Sequence, residues 1–205
     1  MSRPPAPLPA SLHALRPSLR PRQRGVSLVE VLVTMVVLAF GLLGLAAFQT
    51  KAQVGSIESY QRAQAAVLLQ DMQSRLSGNS LEAGSYVTGE PLGTGDDLDT
   101  DCGLEAAGSA RDKCEWSAAL KGAAERRDAA LGGAMQGARG CITQVQAMNA
   151  AAGVCRPAIY LVSVSWQGLH ATRAPSHACG RGLYGIDTNR RTISARVAVG
   201  LPACV

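Results

Sequence analysis

The sequence predicts an α+β fold. A long N-terminal helix crosses a membrane in its first half and packs, in its second half, on a small antiparallel β-sheet with long, disulfide-closed loops. Three observations carry this. Residues 31–48 hold no charged side chain, and Thr34 is their only hydroxyl; about 18 apolar residues in a row suffice for a transmembrane candidate. Helical periodicity then continues to about residue 77, but with one apolar stripe instead of an apolar surface all round. The C-terminal third carries alternating segments of strand type.

The chain of 205 residues is long enough for one medium domain and an anchor. Its basic balance is confined to the N-terminus. Of 20 Lys and Arg, five (Arg3, Arg16, Arg20, Arg22, Arg24) fall in residues 1–25, which contain no acid. The remaining 15 basic side chains face 15 acidic ones, so a basic nucleic-acid footprint on the folded part is not indicated. Prolines at 4, 5, 7, 9, 17 and 21 prevent residues 1–21 from propagating a helix. Arginines directly before a span hold that side in the cytoplasm.

The helix is expected over about 26–77, roughly 75–80 Å at 1.5 Å per residue. In its second half Ile57, Gln64, Leu68, Met72 and Leu76 form the predicted buried stripe, with Ala65 and Leu69 beside it. Glu58, Arg62, Asp71 and Arg75 are assigned to the opposite face. Ser77-Gly78-Asn79 supplies the stop. Gly41, Gly44 and Gly55 interrupt the run, each costing about 1 kcal/mol relative to Ala; close helix packing and a point of bending both follow from the missing Cβ.

Residues 78–139 are weakly patterned, with a loop at Gly93–Asp97 and a short helix within 114–131. Residues 160–166 and 193–199 alternate as strands, residues 142–148 supply a third, and Asp187-Thr188-Asn189 is a turn. Such a sheet buries its apolar face by packing on the amphipathic half of the helix.

Six cysteines (Cys102, Cys114, Cys141, Cys155, Cys179, Cys204) all follow the apolar run and include no C-x-x-C pair. That pattern fits disulfides in an oxidising compartment. Asp97, Asp99 and Asp101 are rich in oxygen ligands, but Cys102 and Gly108 stand where an EF-hand needs Gly and Glu, so a solvated loop is expected. His170, His177 and Cys179 match no common metal spacing. G-x-S-x-G, P-loop and H-E-x-x-H motifs are lacking, and no enzyme, metal or cofactor is expected. Tyr160 and Trp166 are assigned to the core or sheet surface.

The segment RGVSLVEVLV holds the chemistry. A conventional secretory signal fits it poorly, because the apolar run is too long and Glu30 lies near its start; Ala46-Ala47 would be the cleavage site in that reading. A cut after Gly25 would remove only the basic leader and leave a new amine at Val26. Glu30 would then lie about one helical turn from that amine. A carboxylate at the centre of a membrane helix costs roughly 2.5–3.5 kcal/mol and is tolerated when paired. An amine on a neighbouring similar helix is such a partner, and the pair would fix the register between helices. The alternative is an interfacial carboxylate that snorkels.

RGVSLVEVLVTMVVLAFGLLGLAAFQ resembles the N-terminal signal of type IV prepilins: a basic leader, Gly before the cut, Glu at the fifth mature position and an apolar helix. FGLLGLAAFQ followed by QRAQAAVLLQDMQSRL is most similar to the minor-pilin branch of that family, the type IV pilus modification proteins. The motif covers about residues 24–50, and elsewhere the likeness is one of layout. The resemblance implies a pilin-like fold and cleavage between Gly25 and Val26 by a membrane-embedded prepilin peptidase. It further implies N-methylation of Val26 and charge pairing by Glu30. The first mature residue is commonly Phe, and here it is Val26; cleavage depending mainly on Gly25 is expected to survive this departure at a slower rate.

The organisation implied is a leader over 1–25, a transmembrane and assembly helix over 26–53, an amphipathic continuation over 54–77 and a periplasmic domain over 78–205. Partners would be other major and minor pilins, the prepilin peptidase, inner-membrane assembly machinery and membrane lipid. The product would move from the inner membrane to an extracellular pilus. Neighbour pairing of the cysteines is expected (Cys102–Cys114, Cys141–Cys155, Cys179–Cys204), the last closing a C-terminal loop as in many pilins. The alternatives are a minor pseudopilin of a type II secretion system, a membrane-anchored periplasmic binding protein or enzyme, and a protein secreted by a conventional signal.

Overall fold

The computed structural model describes residues 25–123, 126–127, 130–131, 135–151 and 153–200. The basic leader and Cys204 lie outside the described residues. Helix α1 spans Leu28–Gly78 and runs unbroken through Gly41, Gly44 and Gly55, where a Cβ would meet nothing within 4 Å. A short 3₁₀ segment, Ser80–Tyr86, follows it. Then come β1 (Leu92–Gly93), α2 (Ser109–Leu120), β2 (Arg126–Arg127), β3 (Ala130–Leu131), β4 (Arg139–Gln146), β5 (Ala158–Gln167) and β6 (Arg190–Val199). The chain divides into residues 1–47 and 48–205.

In the second unit, the four strands β1-β4-β5-β6 form an antiparallel sheet in that order. Strands β5 and β6 pair without interruption from Ala158↔Val199 to Gln167↔Arg190. The β4–β5 register shifts once, between Gln144 and Gln146. The C-terminal part of α1 packs on this sheet: Ala65, Leu69, Met72 and Leu76 share one buried cluster with Ile142, Tyr160, Val162, Val164 and Trp166. Tyr160 and Trp166 are thus core residues.

Several expectations need correction. The buried row of α1 is Gln61, Ala65, Leu69, Met72 and Leu76, not the row beginning at Ile57, which is 48% exposed. At about 100° per residue, Glu58 lies within about 20° of the centre of the observed stripe, and Ile57 about 80° from it. The inward polar positions 58 and 61 disguised the true face. The helix expected within 114–131 instead occupies Ser109–Leu120. It stops where Gly122 takes φ +87°, a conformation that favours glycine, and Arg126–Arg127 pairs with Ala130–Leu131 as strands. The third strand begins earlier than expected, at Arg139.

The alternation of residues 160–166 implies a half-buried strand, but β5 is not half-buried. Residues 162–166 are buried on both faces. One face meets α1, and the other lies under the segment leading from Gly168 to Asn189. There Tyr184 Oη donates to Gly137 O (2.8 Å) and contacts Ser165 Oγ at 3.1 Å. The second disulfide holds the same segment. Cys102 pairs with Cys114 as expected, but Cys141 pairs with Cys179 and not with Cys155. Cys141 sits opposite Ser163, on the face that the Cys179 segment crosses. Cys155 is eight residues from Ser163 along the chain leading into β5, about 26 Å in extended form, whereas a disulfide needs Cα atoms within about 7 Å. The Cys179–Cys204 pairing falls because Cys179 is bonded to Cys141, and Cys155 is itself disulfide-bonded.

Candidate processing and assembly segment

Gly25, Val26 and Ser27 precede α1 without helical structure and are exposed. The Gly25–Val26 peptide bond is accessible, and Gly25 carries no Cβ to crowd it. The main-chain amide of Val31 donates to Ser27 O at 3.2 Å, so the helix begins directly after the Val26 position. Glu30 stands in the first helical turn. That turn carries amide donors without intrahelical acceptors and the positive end of the helix dipole, both favourable to a carboxylate. Thr34 Oγ1 donates to Val31 O at 2.8 Å, which satisfies the lone hydroxyl of the run inside the helix. Residues 25–53 are exposed throughout, including Leu28, Phe40 and Phe48. Among the described residues this is the one helix long and apolar enough to cross a membrane.

The predicted loop acids do not form a cation site. Asp99 and Asp101 turn back on nearby amides, Asp99 Oδ1 accepting from Thr100 N at 2.6 Å and Asp101 Oδ1 from Gly103 N at 3.1 Å. Among the described residues no group of three or more His, Cys, Asp or Glu is placed to hold a metal. His170, His177 and Cys179 have separate surroundings: Cys179 is in a disulfide, and His170 Nδ1 lies 3.2 Å from Glu58 Oε1.

Three polar clusters in the domain went unread in the sequence. Arg75 reaches Asp71 (3.0 Å), Asp112 (2.9 Å) and Glu115 (2.6 Å), tying α1 to α2. Burial works against its charge, but the hydrogen bonds it donates to Glu115, Asp71 and Asp112 outweigh burial and hold its pKa above the ordinary arginine value. Tyr86 donates to Asp112, and burial together with that carboxylate raises the phenol pKa.

Asp96 accepts from Gly93 N (2.7 Å) and Ser117 Oγ (2.6 Å) and pairs with Lys121. Burial alone would raise its pKa; the bonds from Lys121, Ser117 and Gly93 lower it on balance. Arg190 is completely buried. It forms a forked pair with Asp187 (2.7 and 2.9 Å) and donates to the carbonyls of Pro175, His177 and Cys179. Each of these clusters joins residues distant in sequence or hidden in an unpatterned loop, so no local signal exposed them.

Residues 20–46 match the model of the prokaryotic N-terminal methylation motif. Comparison with curated proteins and with solved structures returns no match. The matched segment contains Gly25, Val26 and Glu30 and most of the apolar run. It supports a prepilin-type substrate, of the pilin or pseudopilin kind, processed by a prepilin peptidase and anchored in a membrane by α1. The α+β architecture, with α1 packed on a four-stranded antiparallel sheet and disulfides in the domain, accords with a pilin-like subunit.

Proposed function

We propose that this chain is a minor pilin of the type IV pilus modification (PilV) kind, a structural or priming subunit and not a catalyst. Residues 1–25 form a leader, removed between Gly25 and Val26; Val26 is N-methylated by the same peptidase. Residues 26–53 form the membrane and assembly helix, 54–77 its amphipathic continuation and 78–205 a periplasmic domain. After processing, the subunit leaves the inner membrane and joins major and minor pilins in a pilus, with Glu30 paired to the N-terminal amine of a neighbour. The observation that carries this reading is the methylation-motif match at residues 20–46 on a helix whose first half is apolar and exposed.

A buried carboxylate on that helix gains most from a cationic partner, and cleavage at Gly25 creates such a cation on every subunit of this kind. A minor pseudopilin of a type II secretion system would use the same N-terminal chemistry. The stretch FGLLGLAAFQ and the cysteine-rich domain favour the pilus.

The test is the intact mass and first residue of the product made with a prepilin peptidase, for the natural chain and for Gly25→Ala. The expected product begins at N-methylated Val26, with Gly25→Ala left uncut. A product beginning near Phe48, or an uncut natural chain, refutes the reading.

A further inference from the structure

A cleft of about 380 Å³ opens where α1 meets the sheet, lined by Glu58 and Arg62 from α1, Arg191 and Thr192 from β6, Trp166 from β5, and Thr172. Its volume lies within the range of sites that enclose a small group. Its polar groups are unevenly committed. Glu58 Oε1 already accepts from Arg191 (3.0 Å) and from the amide of Leu169 (3.3 Å), and His170 lies against it. Arg191 is further tied to the carbonyls of Thr188 and His170. Thr192 pairs with Ser165 and its Oγ1 accepts from Arg190 on the opposite face of the sheet, so its hydroxyl takes no part in the cleft.

Arg62 has no hydrogen-bond or ion-pair partner among the described residues, and the Thr172 hydroxyl has none either. The cleft therefore offers the Arg62 guanidinium and the Thr172 hydroxyl, while its one carboxylate is occupied. It also holds one more cation than anion. A guanidinium fork with a flanking hydroxyl fits a planar carboxylate.

We propose that this cleft receives a carboxylate side chain of a neighbouring subunit, with Arg62 as its principal ligand. The proposal rests on the minor-pilin reading, since that reading supplies the neighbour. Val54 is the first partly buried residue of α1, and residues 25–53 are exposed. A neighbouring chain that covers residues 48–53 and continues along the helix for nine more residues, about 14 Å, comes beside Arg62. Lipid phosphate is a poor source. Arg62 lies 14 residues beyond Phe48, about 21 Å along the helix, whereas the headgroup layer extends only about 5–8 Å past the hydrocarbon.

The experiment uses Arg62→Lys in the full chain, expressed in the pilus-producing cell and treated with a carbodiimide, which joins an amine to a carboxylate in contact with it. Arg156→Lys, an exposed position away from the cleft, is the comparison. The expected result is an adduct joining position 62 to an Asp or Glu of another subunit bearing the methylation motif, present in Arg62→Lys and lost in Arg156→Lys. No adduct, an equal adduct from Arg156→Lys, or linkage to a chain without that motif would overturn the proposal. The mature N-terminus is read in the same sample. A chain not starting at Val26 refutes the minor-pilin reading, whereas a correctly cut chain without the adduct refutes the cleft alone.

Discussion

The indole ring of Trp116 lies so close over Gly140 that a Cβ at that glycine would fall 2.2 Å from ring carbon Cη2. Trp116 is fully buried, and its Nε1 donates to Leu68 O at 2.9 Å. One side chain of α2 is thereby fixed against both α1 and β4. The missing Cβ of Gly140 is a packing requirement, since real Cβ atoms do not approach a ring so closely. Gly140→Ala is expected to destabilise the domain by about 1–3 kcal/mol, the usual cost of overfilling a packed core. A lowered denaturation midpoint with unchanged slope would show it; an unchanged midpoint would mean that the Trp116 ring moves aside freely.

Arg190 poses the opposite problem, a charge with no exposed surface. Its forked pair with Asp187 and its bonds to three loop carbonyls compensate the lost hydration. Asp187 stays about one-third exposed while Arg190 is fully buried, so Asp187→Ala leaves a buried guanidinium with carbonyl acceptors alone and Arg190→Ala takes the donor from those carbonyls; both are expected to lower stability. Arg190→Lys should rescue little, because an ammonium cannot reproduce the planar fork. Thermal unfolding of the three variants decides this; full rescue by Lys would reduce the role of Arg190 to charge alone.

The acid limb of stability should carry the signature of Asp96. Its folded pKa is lowered, so its stabilising contribution is complete above the unfolded carboxyl value of about 3.9. That contribution declines as pH falls below it and is gone once pH has passed through the lower folded value. Asp96→Asn is expected to be less stable at neutral pH and to lose less stability on acidification. Lys121→Met should also weaken the acid dependence, since Lys121 is the largest of the stabilising partners. Parallel acid limbs for Asp96→Asn and the natural chain would count against this assignment.

How far the sequence was legible follows from the range of each signal. Alternation at Tyr160–Trp166 and Ile193–Val199 is local, and both strands appear with little change of bounds. The apolar stripe was misplaced because Glu58 and Gln61 point inward, and only the tertiary partners Arg191 and His170 make an inward Glu58 tolerable. The Gln61 Oε1 atom is buried with no hydrogen-bond partner among the described residues, so hydropathy could not have placed it there. Cys102–Cys114 was readable because it joins α2 to the loop just before it. Cys141–Cys179 depends on a long segment crossing the sheet, and spacing does not encode that crossing.

The N-terminal motif was readable because it is linear: the segment that matches the methylation motif, residues 20–46, is one continuous stretch of chain. Under the proposed processing, Glu30 contributes to assembly and not to cleavage, since it faces a neighbour's amine after the leader has gone. Glu30→Gln keeps shape and hydrogen bonding but removes the charge, and it lowers the cost of membrane insertion. The mutant is therefore expected to be cut after Gly25 as efficiently as the natural chain and to accumulate in the membrane. Its recovery in sheared pili should fall about tenfold, equivalent to losing about 1.4 kcal/mol of pairing. Glu30→Lys should fare worse, because it sets two cations against each other in a medium of low dielectric. The measurement is the ratio of pilus-bound to membrane-bound protein for the three chains. Equal ratios would return Glu30 to an interfacial carboxylate with no part in assembly, whatever the cleavage result.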